Sequence, residues 1–304
     1  MKNEIIFSVI IVSYHCRECL ENCLESIRQY NDIGTGLEII VVDNSTDDSV
    51  YKWLKEQAAD VTVIKNENKG FGEANNVGAK AAAGRYLLFL NPDTLLIEPV
   101  FLFAINVFKT DKKTGCFGLQ LVDEKGRRTN SYGLRMPMGF RRAVFCSILI
   151  RAGIFLPDMM YVSGADMFIS KEAFTMAGTF DESIFLYCEE ADLCNRINHA
   201  GYRISYYPQK KIIHLEGKTQ TRRLSEKYQL EMRSREYYCN KYGYNFKRLA
   251  KKERQYCMFK SMFFYIGRKK LRAAEYRKII KFWNKKISSL EAQPVNRKEE
   301  QTLC

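Results

Sequence analysis

Three apolar runs, each closing on polar side chains, dictate the architecture open to this chain. Ile5 to Val12 ends at Ser13-Tyr14, Leu37 to Val42 ends at Asp43-Asn44, and Tyr86 to Leu90 ends at Asn91-Pro92-Asp93. Runs so nearly free of polar residues belong to strands covered on both faces. The intervening segments have helical spacing. Cys16 to Tyr30 carries Leu20, Cys23, Leu24 and Ile27 on one side, and the cap cluster Asn44 to Ser49 opens a helix from about Val50 to Ala58. A strand over Val61 to Ile64 and a helix over Ala74 to Ala83 continue the alternation. This βαβ order predicts an α/β fold with a mostly parallel central sheet and helices on both faces. Ligands of such sheets bind at the carboxyl ends of the strands, so Ser13, Asp43, Asn44, Asn91 and Asp93 converge on one rim.

Downstream, Gly118 to Val122 is expected as a strand, Arg127 to Phe155 as a substrate-facing loop followed by a short helix, and Lys211 to Ile213 as a short apolar strand. Ser225 to Tyr242 reads as helix, and Phe246 to Ser289 continues as basic, aromatic helix. Three segments result: a catalytic domain over 1–220, a helical basic extension over 221–289 and a polar tail over 290–304. The formal charge of +13 is concentrated in the extension, where Lys247 to Lys286 holds fifteen Lys or Arg against Glu253 and Glu275. Ten scattered cysteines and an N-terminus that runs into a strand, with no signal-peptide pattern, point to a reducing cytoplasm. The longest apolar stretch, Ala143 to Leu156, is broken by Arg151 and is shorter than the roughly 20 residues that cross a bilayer.

Five features carry chemistry. Tyr187 to Arg196 places Glu189, Glu190 and Asp192 at a helix start, either as a solvated acidic first turn or as a general base at the edge of a pocket. Asp192 and Arg196, four apart, are set to pair along one face. Asp43 at a strand end either caps its turn or accepts hydrogen bonds from a nucleobase or ribose. The glycines of Lys69 to Gly78 allow close backbone approach and offer N–H groups to an anion at a helix entrance, without matching a Walker loop or the dinucleotide fingerprint. Asp93 either caps a Pro turn or holds a hard divalent cation, with His214 as a further ligand. His15, Cys16, Cys19 and Cys23 put four potential zinc ligands within nine residues, but the three cysteines, at i, i+3 and i+7, are read as sharing one helix face in preference to a zinc site.

Taken together these blocks resemble glycosyltransferase family 2, the inverting enzymes with the GT-A nucleotide-sugar fold, over roughly Phe7 to Thr219. The resemblance is carried by Ser8 to Tyr14, Val42 to Ser45, Gly70 to Gly72 with Asn75 to Gly78, and Asn91 to Asp93. It continues in Ser163 to Ile169, Gly178 to Glu182, the acidic segment, Gly201-Tyr202, and His214 with Gly217. The chain looks most like rhamnosyltransferase-type bacterial members that build surface polysaccharide. The resemblance implies Glu190 as the base, shaped or oriented by Glu189 and Asp192. It implies donor contacts from Ser13, Tyr14, Asp43, Asn44, Gly70, Phe71, Asn75, Asn91, Asp93 and Asp166, and Mg²⁺ or Mn²⁺ on Asp93 and His214. The donor would be a UDP or dTDP sugar, the acceptor a glycan or lipid-linked hydroxyl. Asn91 stands where many members carry the first Asp of Asp-x-Asp, Glu190 where relatives commonly carry Asp, and His15 where an Asn is frequent.

The basic aromatic tail suits either a peripheral anionic membrane surface or a helical hairpin that packs its aromatics on the catalytic body and leaves a solvated basic face. A nucleic-acid-binding protein is disfavoured by the balanced charge of the body, and a non-catalytic sugar-nucleotide module by the joint presence of Asp43, Asp93 and Glu190.

Overall fold

The computed structural model describes residues 4–135, 140–215 and 223–292. Gly217 lies outside them. The chain divides into two compact units, Met1–Thr221 and Arg222–Cys304.

The first unit opens with β1 (Phe7–Ser13), α1 (Arg17–Gln29), β2 (Leu37–Asp43), α2 (Ser49–Gln57), β3 (Val61–Lys65), α3 (Phe71–Ala81) and β4 (Tyr86–Leu90). It continues through β5 (Thr94–Leu96), α4 (Phe101–Thr110), β6 (Thr114–Val122), β7 (Tyr132–Leu134), α5 (Phe140–Ala152), β8 (Met160–Val162), β9 (Asp166–Ser170), α6 (Lys171–Met176), α7 (Glu189–His199) and β10 (Arg203–His214). Eight strands form one sheet in the order β3-β2-β1-β4-β9-β6-β10-β5, and β7 and β8 form a separate pair. β1 is buried at every position because helices cover both sides. Its successive side chains serve two cores: Phe7, Val9 and Ile11 meet Leu20, Leu24 and Phe101, whereas Ile10 and Val12 meet Ala74 and Ala79. α3 comes close enough for this because Gly78 has no Cβ; one placed there would sit 2.5 Å from Ile10 Cγ2.

The expected parallel frame is present in β3, β2, β1 and β4. β9 runs against both neighbours, and β5 runs against β10. This reversal brings the start of β9 to the carboxyl end of β4, with Leu90 beside Asp166. β10 is longer than the expected Lys211 to Ile213: it begins at Arg203, and its pairing with β6 is interrupted between Tyr207 and Lys211. Pro208 lies in that gap, where a residue without an N–H cannot serve a ladder. The segment expected as a loop before a short helix instead contributes β7, which pairs with β8, and the 13-residue α5.

The second unit comprises α8 (Leu224–Lys241), α9 (Phe246–Ile266) and α10 (Lys270–Ala292). The basic, aromatic helical segment expected over 246–289 is two helices, broken at Gly267 to Lys269, with Arg268 in the left-handed region at φ 56°. Met232, Cys239, Phe246, Cys257, Ile279 and Trp283 fill the core between the helices. Lys251 pairs with Glu291, Lys286 with Glu236, and Arg235 with both Glu231 and Glu253. The nine described cysteines are free thiols, and no helix among the described residues is long and apolar enough to cross a membrane.

Candidate active site

The rim is assembled from strand ends. Parallel register sets Ser13 beside Asp43 and Asp43 beside Lys65. Asp43 is fully buried: one carboxylate oxygen accepts the Ser45 N–H at 3.0 Å and the other the Lys65 ammonium at 3.1 Å. Lys65 also donates to the carbonyls of Ser45 and Asp47, so it fastens the 44–48 loop to the sheet. Asn44 is buried beside them, its N–H on the Ser13 carbonyl and its Oδ1 accepting from Asn66. His15, which the sequence left without a role, closes the same loop from the other side. Its N–H donates to Ser45 Oγ, and its Nε2 accepts the Thr46 N–H at 3.2 Å. That bond places the ring proton on Nδ1, which faces Asp47 at 3.3 Å. Tyr14 remains 41% exposed, its ring edge-on to His15.

Gly70 has φ 135°, a Cβ there would lie 2.7 Å from the Phe185 carbonyl, and the Phe71 N–H donates to that carbonyl at 2.9 Å. Of the amides at this helix entrance, that of Phe71 is thus engaged within the protein. Asn75 is buried and donates to Phe71 O, one turn back in its own helix. Asn76 clamps Phe180 through both its backbone groups and reaches Glu182. These contacts fix the segment 180–186 that leads into the acidic helix.

That helix begins under strain. Tyr187 and Cys188 are consecutive non-glycine residues at φ 69° and 76°, a conformation costing of order 1–3 kcal/mol each. The bend presents α7 with Glu189 and Glu190 at its first turn. Glu189 is enclosed, and its Oε2 has no hydrogen-bond partner. Burial first, and the charge of Glu190 second, push its carboxyl well above the ordinary range. Glu190 lies against Gly164, where a Cβ would come within 2.5 Å of Oε1. Burial raises its carboxyl too, and main-chain amides of Glu190 and Gly164 pull it part of the way back. Asp192 is buried and grips Arg196 through Nε at 2.8 Å and Nη2 at 2.7 Å. Arg196 in turn donates to the Ala177 carbonyl, which anchors α7 to the end of α6.

A short path joins Glu190 to the turn after β4. Gly164 is followed by Ala165, whose carbonyl accepts the Asn91 N–H at 3.1 Å, and Asn91-Pro92 leads into Asp93. Asp93 Oδ1 stands 3.4 Å from His214 Nε2, and the Asp93 carbonyl accepts the Leu215 N–H at 2.9 Å. His214 Nδ1 is buried without a hydrogen-bond partner. A carboxylate and an imidazole so close suit Mg²⁺ or Mn²⁺. Among the described residues no three His, Cys, Asp or Glu side chains gather into a metal cage. Cys16 is the N-cap residue of α1, with its thiol 3.6 Å from Ser13 Oγ, and Cys23 within the helix is buried against Asn91 O and Thr94.

Asp166 sits on the same rim but turns into the sheet. It is fully buried, one oxygen accepts the Leu119 N–H at 2.7 Å and the other has no partner. Desolvation raises its carboxyl well above the usual range. A carboxyl whose folded pKa exceeds its unfolded value costs stability as pH climbs from the unfolded value to the folded one. Asp166→Asn, which keeps an acceptor for Leu119, is expected to stabilise the protein increasingly over that window and to be neutral in acid. Urea midpoints across a pH series check this, and a pH-independent difference would contradict it. Two hollows of about 470 and 670 Å³ open elsewhere, between α1 and α2 and at the amino ends of β4 and β6. Neither includes a rim residue.

Comparison with known proteins supplies independent information. Residues 8–174, more than half of the chain, match the family described as Glycosyl transferase family 2. The rhamnosyltransferase WbbL of Escherichia coli strain K12 is 26% identical over 68% of this chain and 82% of its own. The low-salt glycan biosynthesis hexosyltransferase Agl10 of Haloferax volcanii is also 26% identical, over 71% of this chain and 69% of its own. Among solved structures, the mannosyltransferase PcManGT of Pyrobaculum calidifontis, in complex with GDP-Man and Mn²⁺, superposes with a TM-score of 0.55 at 18% identity. That match covers 74% of this chain and 60% of the mannosyltransferase, and it is a likeness of fold.

Proposed function

The chain belongs to glycosyl transferase family 2 and is a glycosyltransferase of the GT-A fold, and from that premise we propose that it inverts the anomeric centre of a UDP or dTDP sugar, rhamnose-like by preference, in building surface polysaccharide. The acceptor is a hydroxyl of a glycan or lipid-linked glycan. The observation that carries this reading is the short path from Glu190 through Gly164 and Ala165 to Asn91 and the Asp93–His214 pair. It supports reading Glu190 as a base on the same rim as a pair suited to a diphosphate.

Glu190 takes the proton of the acceptor hydroxyl. The oxygen's electron pair then forms the new glycosidic bond as the bond from the anomeric carbon to the nucleoside diphosphate breaks, and the leaving pair departs with the phosphate. A carboxyl raised by burial is better matched to this task near neutral pH than an ordinary one. Asp192 holds α7 in place through Arg196, and Glu189 maintains the enclosed first turn. In this reading the base and ribose lie at the strand ends that carry Ser13, Asp43 and Asn44, all three buried here, and the exposed Tyr14 ring offers a stacking surface. Asp93 and His214 would hold Mg²⁺ or Mn²⁺, which when bound neutralises charge growing on the leaving diphosphate. A cytoplasmic enzyme, peripheral on an anionic membrane, belongs to the same reading.

Thermal stabilisation by a panel of nucleotide sugars with Mn²⁺ tests it. A bound donor stabilises the fold by mass action, by about 2.7 kcal/mol at a hundredfold excess over Kd, and so raises the melting temperature. dTDP or UDP sugars are expected to do so. A response confined to GDP sugars would refute the nucleotide assignment, and no response to any would refute the donor site.

A further inference from the structure

Among the described residues of the second unit, α9 has two surfaces, one of them covered by α10. Along α9, Cys257 and Ser261 face inward and Ser261 Oγ donates to the Ala273 carbonyl of α10. Phe264 stacks on Tyr276 across the hairpin at 5.6 Å. Phe259, Met262, Phe263 and Ile266 stand at i, i+3, i+4 and i+7, which makes one stripe on the opposite side of the helix. All four are exposed, from 55% for Met262 to 73% for Ile266, and Leu271 at the start of α10 is 87% exposed. Nearer the start of α9, the same side carries Arg248 and Lys252. The helix therefore changes from charged to apolar as it approaches the turn.

That apolar end is ringed by cations. Lys260, Arg268, Lys269, Lys270 and Arg272 lie within or beside it, and no acidic residue occurs between Arg254 and Arg272. A contiguous apolar patch of this kind marks an interaction surface. Its charge complement is anionic, and its aliphatic members, Met262, Ile266 and Leu271, ask for hydrocarbon, which nucleic acid does not provide. We propose that the tip of the α9–α10 hairpin docks on an anionic lipid bilayer, its apolar stripe entering the interface while the surrounding Lys and Arg hold headgroup phosphates. The inference names the partner of the peripheral surface in the reading above, and it rests on the hairpin alone, so it stands or falls independently of the donor and the base.

Sedimentation of the full chain with vesicles decides it. Binding is expected to vesicles of roughly one part phosphatidylglycerol to two parts phosphatidylcholine, at least about tenfold stronger than to phosphatidylcholine alone, and weaker with added salt. The triple change Phe259→Ser, Phe263→Ser and Ile266→Ser should lower the partition coefficient at least tenfold, with the helical circular dichroism unchanged. A second variant, Arg268→Gln with Lys269→Gln and Lys270→Gln, should lower it comparably and flatten the salt dependence. Phe263→Trp adds an optical readout, because Trp53 and Trp283 are buried: its emission should shift to the blue on anionic vesicles. Equal sedimentation of parent and variants would overturn the proposal. So would binding to an oligonucleotide without binding to vesicles, or a dimer that the serine variant dissociates while the parent ignores lipid.

Discussion

Glu190→Gln lowers sugar transfer by about 10²–10⁴-fold and leaves nucleotide-sugar affinity within a fewfold of the parent; this is the expected result if Glu190 removes the acceptor proton. Glutamine preserves the side-chain length and the packing on Gly164 but cannot accept the proton. The alternative, an acidic first turn that merely favours the helix, predicts a loss of a few tenths to 1 kcal/mol in stability and little change in turnover. Steady-state kinetics with a soluble acceptor, alongside calorimetry with the donor, separates the two. The pH profile gives a second readout. The base works deprotonated, so activity should rise with pH through a carboxyl pKa above the ordinary range, because burial disfavours the charged form. That acid limb should vanish in Glu190→Gln. Near-parental transfer in the variant would remove Glu190 from the chemistry.

How much of this site a reader of the sequence can reach depends on whether the signal is local. β1, β2 and β4 announce themselves because a central strand covered on both faces must be apolar nearly throughout, and the polar residues that stop each run are the rim. The direction of β9 is not local. Met167-Phe168-Ile169 is apolar whichever way it runs, and only the pairing of β9 with β4 and β6 shows that it is reversed and that Asp166 faces inward to the Leu119 amide. Lys65 was equally hidden. A lone lysine after an apolar run carries no message until strand register sets it beside Asp43. In the second unit, both faces of α9 carry aromatic and sulfur-containing residues. Periodicity alone could not say that Cys257 and Phe264 meet α10 while Phe259 and Phe263 meet solvent. The break between α9 and α10 was more accessible, since Gly267 ahead of a basic cluster is a common way to end a helix.

Asp93→Asn should abolish the divalent-ion dependence of nucleotide binding, weakening the affinity for UDP or dTDP in the presence of Mn²⁺ by at least about 10²-fold. Groups that only orient a metal ligand already cost 10–100-fold in metal affinity when changed, and Asp93 would be a ligand itself. Asparagine is chosen because it keeps the shape and the backbone bond from Leu215, so the turn after β4 survives while the charge is lost. The change is severe here because Asn91 contributes no second carboxylate: in the 91–93 turn Asp93 holds the entire negative charge. His214→Ala removes one neutral ligand and should cost less, because the phosphate oxygens still meet a cation held by Asp93. Calorimetric titration of nucleotide with and without Mn²⁺ reads both variants without an acceptor, so a failure of the base assignment cannot mask the outcome. If Asp93→Asn binds nucleotide as the parent does, and Mn²⁺ still strengthens that binding, the Asp93–His214 pair is a structural contact that closes the end of β10, and the diphosphate is held elsewhere.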